Sequence, residues 1–300
     1  MCIRDRDAII ECVPAQRQTL LFSATFPEQI QIIAKRVMRA PVKVKVDSVH
    51  SDSSIAQHFY KLDNNEQRIN ALRLLLFKHR PESSLVFCNT KRDTQDVAAE
   101  LCESGFIASA LHGDLEQKER DQTLVRFANK SVSVLVATDV AARGLDIDKL
   151  DAVINYHLSP DGEVHVHRIG RTGRAGGKGK AYSLYTDKES YKIARLEEVL
   201  AREIKPEELP PFSLLTKTAH KPTMSTLQID GGKKQKIRPG DILGALTGET
   251  GIAAKQVGKI HIFDNHAYVA VTHDATKPAL KKLGAGKLKG RMFRVRVIRN

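Results

Sequence analysis

Between residues 55 and about 203, short β-branched runs alternate with amphipathic stretches, and no other feature of the chain restricts its fold so strongly. The apolar runs fall at 56–61, 84–88, 106–110, 133–137, 151–154 and 179–185. Between them, 64–79, 91–104 and 116–128 place apolar residues at helical spacing, with Ala71, Leu72, Leu75 and Leu76 on one face. Strands that alternate with covering helices bury their apolar faces as a doubly wound parallel α/β sheet.

The flanks divide the rest of the chain. Residues 47–54, Asp-Ser-Val-His-Ser-Asp-Ser-Ser, are small and polar and read as a linker. Before them, Thr19-Leu20-Leu21-Phe22 reads as a buried strand, 27–38 as a helix and 42–46 as a closing strand. Alone, such pieces would leave an exposed sheet edge. Residues 1–46 are therefore expected to be the remnant of a larger N-terminal lobe, although Met1-Cys2-Ile3-Arg4-Asp5-Arg6 matches nothing expected of one. The main α/β domain is expected over 55–205. The prolines of Lys205-Pro206-Glu207-Glu208-Leu209-Pro210-Pro211 open an extended connector, 206–222. Over 223–300 the expected order is strand 226–230, helix 239–247, strands 257–263 and 267–272, helix 274–283 and strand 291–298. That βαββαβ order is the ferredoxin-like, RRM-like α+β pattern.

Charge separates the two domains. Residues 1–212 hold 31 Lys and Arg against 30 Asp and Glu, whereas 213–300 hold 17 against 5, so nearly all of the net +13 lies in the tail. Such a tail suits a polyanion, with binding that weakens as salt rises; the plainer reading is a solvated basic surface. No apolar run approaches the roughly 18 residues that cross a bilayer, and no secretory leader opens the chain. Cys2, Cys12, Cys88 and Cys102 lack metal-type spacing and read as reduced thiols, Cys88 as a buried structural one. A soluble, cytoplasmic monomer with no metal site of its own is expected.

Four strings carry chemistry. His167-Arg168-Ile169-Gly170-Arg171-Thr172-Gly173-Arg174 spaces arginines three apart, with glycines that let the backbone approach a ligand. Planar guanidinium groups fork onto phosphate oxygens and stabilise charge during phosphoryl transfer. Ala137-Thr138-Asp139-Val140-Ala141-Ala142-Arg143-Gly144-Leu145-Asp146 follows an apolar strand, where ligands bind in open α/β sheets. Carboxylates there can accept from ribose hydroxyls, and threonine hydroxyls or amides can hold a phosphate. Leu111-His112-Gly113-Asp114 with Gln117 and Arg120, and Val86-Phe87-Cys88-Asn89-Thr90-Lys91, lie at strand ends or helix starts that favour phosphate.

Taken together these strings resemble the C-terminal part of the DEAD-box ATP-dependent RNA helicases. The resemblance implies a RecA-like C-terminal domain over 55–205. It implies that Arg171 and Arg174 reach the nucleotide γ-phosphate and act in catalysis, that Gly144 and Asp146 meet the ribose, and that Thr90, Gly113, Gln117, Arg120 and Thr138 contact RNA. Ser23-Ala24-Thr25 after Leu20-Leu21-Phe22 resembles the motif that couples nucleotide state to strand separation, so Ser23, Thr25 and His167 are expected in coupling. The cofactor implied is ATP with magnesium. No G-x-x-x-x-G-K-[ST] loop and no Asp-Glu-Ala-Asp occurs in the chain. Magnesium is therefore expected on an N-terminal lobe outside this sequence, and the chain alone is expected to be inactive as an ATPase.

The tail departs from an ordinary RNA-recognition motif, which stacks bases on aromatic residues of its central strands. Gln228 stands where an aromatic is expected, and only His266 and Tyr268 occur on the third strand. Lys281, Lys282, Lys287, Lys289, Arg291, Arg294 and Arg296 gather near the end. Arg294 and Arg296 share one strand face with Val295 and Val297 opposite, and the RNA contacts expected are Lys287, Lys289, Arg291, Arg294 and Arg296. The runs 236–246, 257–263 and 268–271 resemble the DbpA-type RNA-binding domain. That resemblance implies targeting to a large-subunit ribosomal RNA hairpin within a pre-ribosomal particle. A cold-shock-type DEAD-box helicase, a non-enzymatic RNA-binding remnant and a DNA-directed helicase are the alternatives.

Overall fold

The computed structural model describes residues 9–22, 28–44, 55–142, 150–173, 178–249 and 251–298. The chain divides into two units, 1–49 and 50–300. In the first, α1 (Glu28–Val37) forms where a helix was expected, with Ala34 buried. The two strands expected beside it do not form among the described residues. Leu20 and Phe22 are exposed, as are Val42 and Val44, and no ladder involves them. A strand exists only through hydrogen bonds to a neighbour, and no described segment of this unit supplies one; residues 45 and 46 lie outside the described set.

The second unit holds both sheets. Its larger one contains β1 (Ile55–Leu62), β2 (Ser84–Phe87), β3 (Ala108–Leu111), β4 (Val134–Ala137), β5 (Ala152–Asn155) and β6 (Gly179–Thr186), in the spatial order β1-β6-β5-β2-β4-β3. Every pairing is parallel. The central strands β2, β4 and β5 are buried at every position, as two-sided cover requires. Alternate residues serve opposite faces: Val86, Val136 and Ile154 pack with α2 (Gln67–His79) and α3 (Lys91–Glu103). Leu85, Leu135 and Val153 pack with Phe127 of α4 (Gln117–Ala128) and Ala141 of α5 (Asp139–Ala142). Two further helices, α6 (Gly162–Ile169) and α7 (Ser190–Leu200), complete the α/β domain. The doubly wound, RecA-like reading therefore holds. Because β3 and β4 lie to one side of β2 and β5 and β6 to the other, the carboxyl ends of β2, β4 and β5 surround the switch in winding direction, where open α/β sheets bind ligands.

The tail is a four-stranded antiparallel sheet, β10-β7-β9-β8, built from β7 (Met224–Ile229), β8 (Val257–Ile262), β9 (Ala267–Thr272) and β10 (Val295–Val297). Helices α8 (Pro239–Thr247) and α9 (Thr276–Ala285) cover one face through Ile242, Leu246, Ala279 and Leu283. The expected βαββαβ order is present, although the last strand is shorter than 291–298. A turn intervenes, with Lys289 and Gly290 at φ 51° and 78° between bridged Leu288 and Arg291.

The other face of this sheet is covered too. Thr226, Gln228, Tyr268 and Ala270 are each buried to within 4% exposure. The segment after α4 reaches them: Asn129 Nδ2 donates to Thr226 Oγ1 at 3.2 Å, Ser131 Oγ lies 2.7 Å from the same oxygen, and His261 Nε2 lies 3.1 Å from Asn129 Oδ1. The connector is docked rather than free. Glu207 N–H donates to Phe59 O on the open edge of β1 at 2.7 Å, and its carboxylate meets His58 Nδ1 at 2.7 Å. Leu209, Leu214 and Leu215 pack on the larger core, and Ala219 is part of it. Among the described residues, no helix is long and apolar enough to cross a membrane.

Candidate nucleotide and RNA interface

Of the described residues singled out in the sequence, Thr90 and Thr138 lie just past the carboxyl ends of β2 and β4, and Gly113, Gln117 and Arg120 follow β3. After β2, Thr90 caps α3: its hydroxyl accepts from Asp93 N–H at 3.1 Å and donates to Asp93 Oδ2 at 2.7 Å. After β4, the Thr138 hydroxyl accepts from Ala141 N–H at 3.4 Å. Both threonines thus start helices, and the first-turn amides beside them form positive ends suited to phosphate. Gln117 and Arg120 lie in the first turn of α4. Gln117 is exposed and donates to Asp121 Oδ1 at 2.7 Å, while Arg120 donates to Ala141 O at 2.8 Å and so fastens α4 to α5. Gly113 is exposed on the loop after β3, where a Cβ would touch only the Lys91 side chain, at 3.9 Å.

The arginine string begins inside α6. Its first arginine does not face a ligand: Arg168 is 2% exposed. Nε and Nη2 donate to the two Asp139 oxygens at 2.6 and 2.8 Å. Nη1 donates to Asn155 Oδ1 at 3.2 Å and His157 O at 2.7 Å, and Nη2 reaches Asn89 Oδ1 at 3.5 Å. The guanidinium also lies 4.9 Å from the centre of the Phe87 ring. No separate role was legible in the sequence for Arg168, nor for Asp139 or Asn155. The available signal was Asp139 itself, an acid placed just past a fully apolar strand.

Arg171 follows the end of α6 and is half-buried. Its N–H donates to Arg168 O at 3.2 Å, and its carbonyl accepts from Leu150 N–H at 3.4 Å. Thr172 Oγ1 donates to Leu150 O, closing a bridge between the two segments. His167 is exposed on the outer side of α6. Arg174, Gly144, Asp146, Ser23 and Thr25 lie outside the described residues. Among the described residues, no cluster of His, Cys, Asp and Glu could hold a metal ion.

Two buried groups set the electrostatics around α6. Cys88 is fully buried, and burial pushes its thiol pKa far up, which suits a structural thiol. His165 is fully buried; Nε2 lies 3.2 Å from Gln57 Oε1 and Nδ1 has no hydrogen-bond partner. Burial first, then the Arg168 and Arg202 charges, lower its pKa from 6.5 to about 4. Unfolded, it would hold a proton that the fold rejects. Its stabilising effect is complete above pH 6.5 and is lost as pH falls toward 4, on the order of 3 kcal/mol. Chemical denaturation across that range should show a steeper loss in the wild type than in His165→Gln; parallel profiles would contradict the assignment.

In the tail, Lys287, Arg291 and Arg294 are exposed, whereas Lys289 pairs with Asp241 at 3.1 Å and Arg296 with Asp230 at 3.1 Å. Exposed pairs of this kind contribute little, so both cations can exchange a carboxylate for a phosphate. Aromatic side chains gather beside them: Phe263 and His266 stack at 5.0 Å, and Tyr268 meets both edge-on.

A RecA-like C-terminal helicase domain with an RNA-binding domain packed against it is the class this architecture defines, and comparison with known proteins agrees. The helicase conserved C-terminal domain matches residues 66–176, and the DbpA RNA-binding domain matches 226–297. The chain is 49% identical to the ATP-dependent RNA helicase DbpA of Escherichia coli over 98% of its own length and 64% of that protein's. It is 33% identical to the Bacillus subtilis protein of the same name over 98% and 65%. Among solved structures, Saccharomyces cerevisiae Dbp5 bound to RNA and ADP BeF3 superposes with a TM-score of 0.59 at 31% identity, over 71% of this chain and 59% of that one. The chain belongs to the DbpA-like DEAD-box helicases and spans somewhat less than two thirds of these curated relatives.

Proposed function

We propose that this chain is the C-terminal part of an ATP-dependent RNA helicase that separates local duplex in large-subunit ribosomal RNA, in the cytoplasm, during assembly of pre-ribosomal particles. The observation that carries the reading is a helicase C-terminal domain and a DbpA-type RNA-binding domain in one chain, joined by hydrogen bonds between Thr226 and both Asn129 and Ser131. The described part of the nucleotide site suits a triphosphate in its donor set, since Arg171 supplies a guanidinium that can fork onto phosphate oxygens. Arg171 and Arg174 would hold the γ-phosphate, with Gly144 and Asp146 at the ribose. ATP supplies the phosphoryl group whose hydrolysis drives the cycle, and magnesium would be held by a phosphate-loop lobe. Thr90, Gly113, Gln117, Arg120 and Thr138 position the RNA backbone without reading its sequence. The tail chooses the target and, being docked, delivers it beside those loops.

The reading is tested by competition binding on the chain. A large-subunit ribosomal RNA hairpin should bind at least about tenfold tighter than an unrelated hairpin at moderate salt. If Lys287, Lys289, Arg291, Arg294 and Arg296 all reach phosphates, log Kd should change with log salt by about 4 per decade. Equal affinity for both hairpins would remove the ribosomal assignment.

A further inference from the structure

Arg168 uses all of its donors. A guanidinium has five N–H groups, and those of Arg168 go to both Asp139 oxygens, Asn155, the His157 carbonyl and Asn89. One buried side chain therefore ties the residues that follow β2 and β4 to the end of β5. A buried ion pair is seldom the most stabilising way to fill such a space, because apolar residues of similar volume do as well or better. Its particular contribution is geometric. Asn89 directly precedes Thr90 and Asp139 directly follows Thr138, the two threonines read as RNA contacts. On its other side, Arg168 O accepts the N–H of Arg171 at 3.2 Å, and Arg171 is the described arginine read as a nucleotide contact.

We propose that Arg168 is a positioning residue which, through Asp139 and Asn89, sets the placement of Arg171 according to whether RNA occupies the loops after β2 and β4. The inference rests on the functional reading above and deepens it. The RNA side of the hub is accessible and its joints are unequal. The Asp139 side chain is 27% exposed, Asn89 is exposed, and the Asn89 bond is the longest of the five at 3.5 Å. RNA seated on Thr90 and Thr138 can shorten that bond, and the rigid turn from Arg168 to Arg171 carries the movement along. No proton or covalent bond changes hands.

The test uses the chain itself and unstructured oligouridine RNA, followed through the arginine Nε–H resonances. In the wild type, the Arg171 resonance should shift as RNA is added. In Arg168→Lys, which keeps the charge and loses the fork, the Arg171 shift at saturating RNA should shrink by about fivefold or more. Asn89→Ala removes only an exposed joint. It should keep the wild-type melting temperature and RNA affinity for the tail while also losing most of the Arg171 response, so the proposal stays testable if the lysine variant folds poorly. A full Arg171 response in Asn89→Ala, or wild-type RNA binding that leaves Arg171 unmoved, overturns the proposal. Absence of any RNA binding by the wild type instead defeats the functional reading, and the proposal with it.

Discussion

Replacing Arg171 with alanine, in a protein that joins this chain to a phosphate-loop lobe, should lower RNA-stimulated ATP turnover by roughly a thousandfold. The expectation follows from where the residue sits and what holds it there. Its backbone N–H is bonded to Arg168 O, and its carbonyl accepts from Leu150 N–H just before β5. A guanidinium fixed in this way stabilises charge as it develops on the transferring phosphate without rearranging to do so. The same substitution should leave hairpin affinity unchanged, because the tail's expected contacts are on other elements. Turnover within a few-fold of wild type would remove Arg171 from the nucleotide site, whereas a parallel loss of hairpin binding would show the substitution acting through the fold.

The second large effect concerns stability. Arg68, 2% exposed on α2, donates to Tyr156 O at 2.5 Å, Leu184 O at 3.1 Å and Asn65 Oδ1 at 3.0 Å, and pairs with Glu189. It thereby satisfies carbonyls near the carboxyl ends of β5 and β6 that no water can reach. Arg68→Ala should cost about 3 to 5 kcal/mol, since it strands buried acceptors and one side of a buried ion pair. For a unit of this size the melting temperature should fall on the order of 10 °C. A change of only a degree or two would mean that the site relaxes or admits water.

Much of this fold could be read in the chain before any coordinates. The strands were legible because apolar runs such as 84–87 and 134–137 are buried on both faces and contain little else. Helix α6 was not, because Val164-His165-Val166-His167 alternates as a strand would. What decides for a helix is Asp161, whose carboxylate accepts from Glu163 N–H at 2.8 Å and caps the first turn. The expected strand at 19–22, and the described part, 42–44, of the one at 42–46, did not form, for the opposite reason. Their composition favours extension, but a ladder depends on a partner that composition does not reveal. The cover over the tail sheet was equally hidden. Gln228 and Tyr268 looked like a poor stacking surface, and only the structure brings the segment containing Asn129 and Ser131 onto that face.

The site divides along the same line. The arginine string and the string that begins at Thr138 were expected to meet, and Arg168 and Asp139, one from each, do pair past the carboxyl ends of the strands. Which arginine turns inward could not be read from a spacing of three. That depends on Asp139, Asn155 and Asn89 arriving from three separate strands, a coincidence that exists only once β2, β4 and β5 are adjacent.

RNA-dependent activity and its targeting by the tail are tested together by ATP turnover measured against RNA concentration, in the protein that combines this chain with a phosphate-loop lobe. Two RNAs would be compared, alike in length and differing only in the large-subunit hairpin. Turnover should depend on RNA, with half-maximal stimulation at least about tenfold lower in concentration for the RNA that carries the hairpin. Identical curves for the two RNAs would contradict targeting by the tail, and turnover indifferent to any RNA would contradict the helicase reading itself.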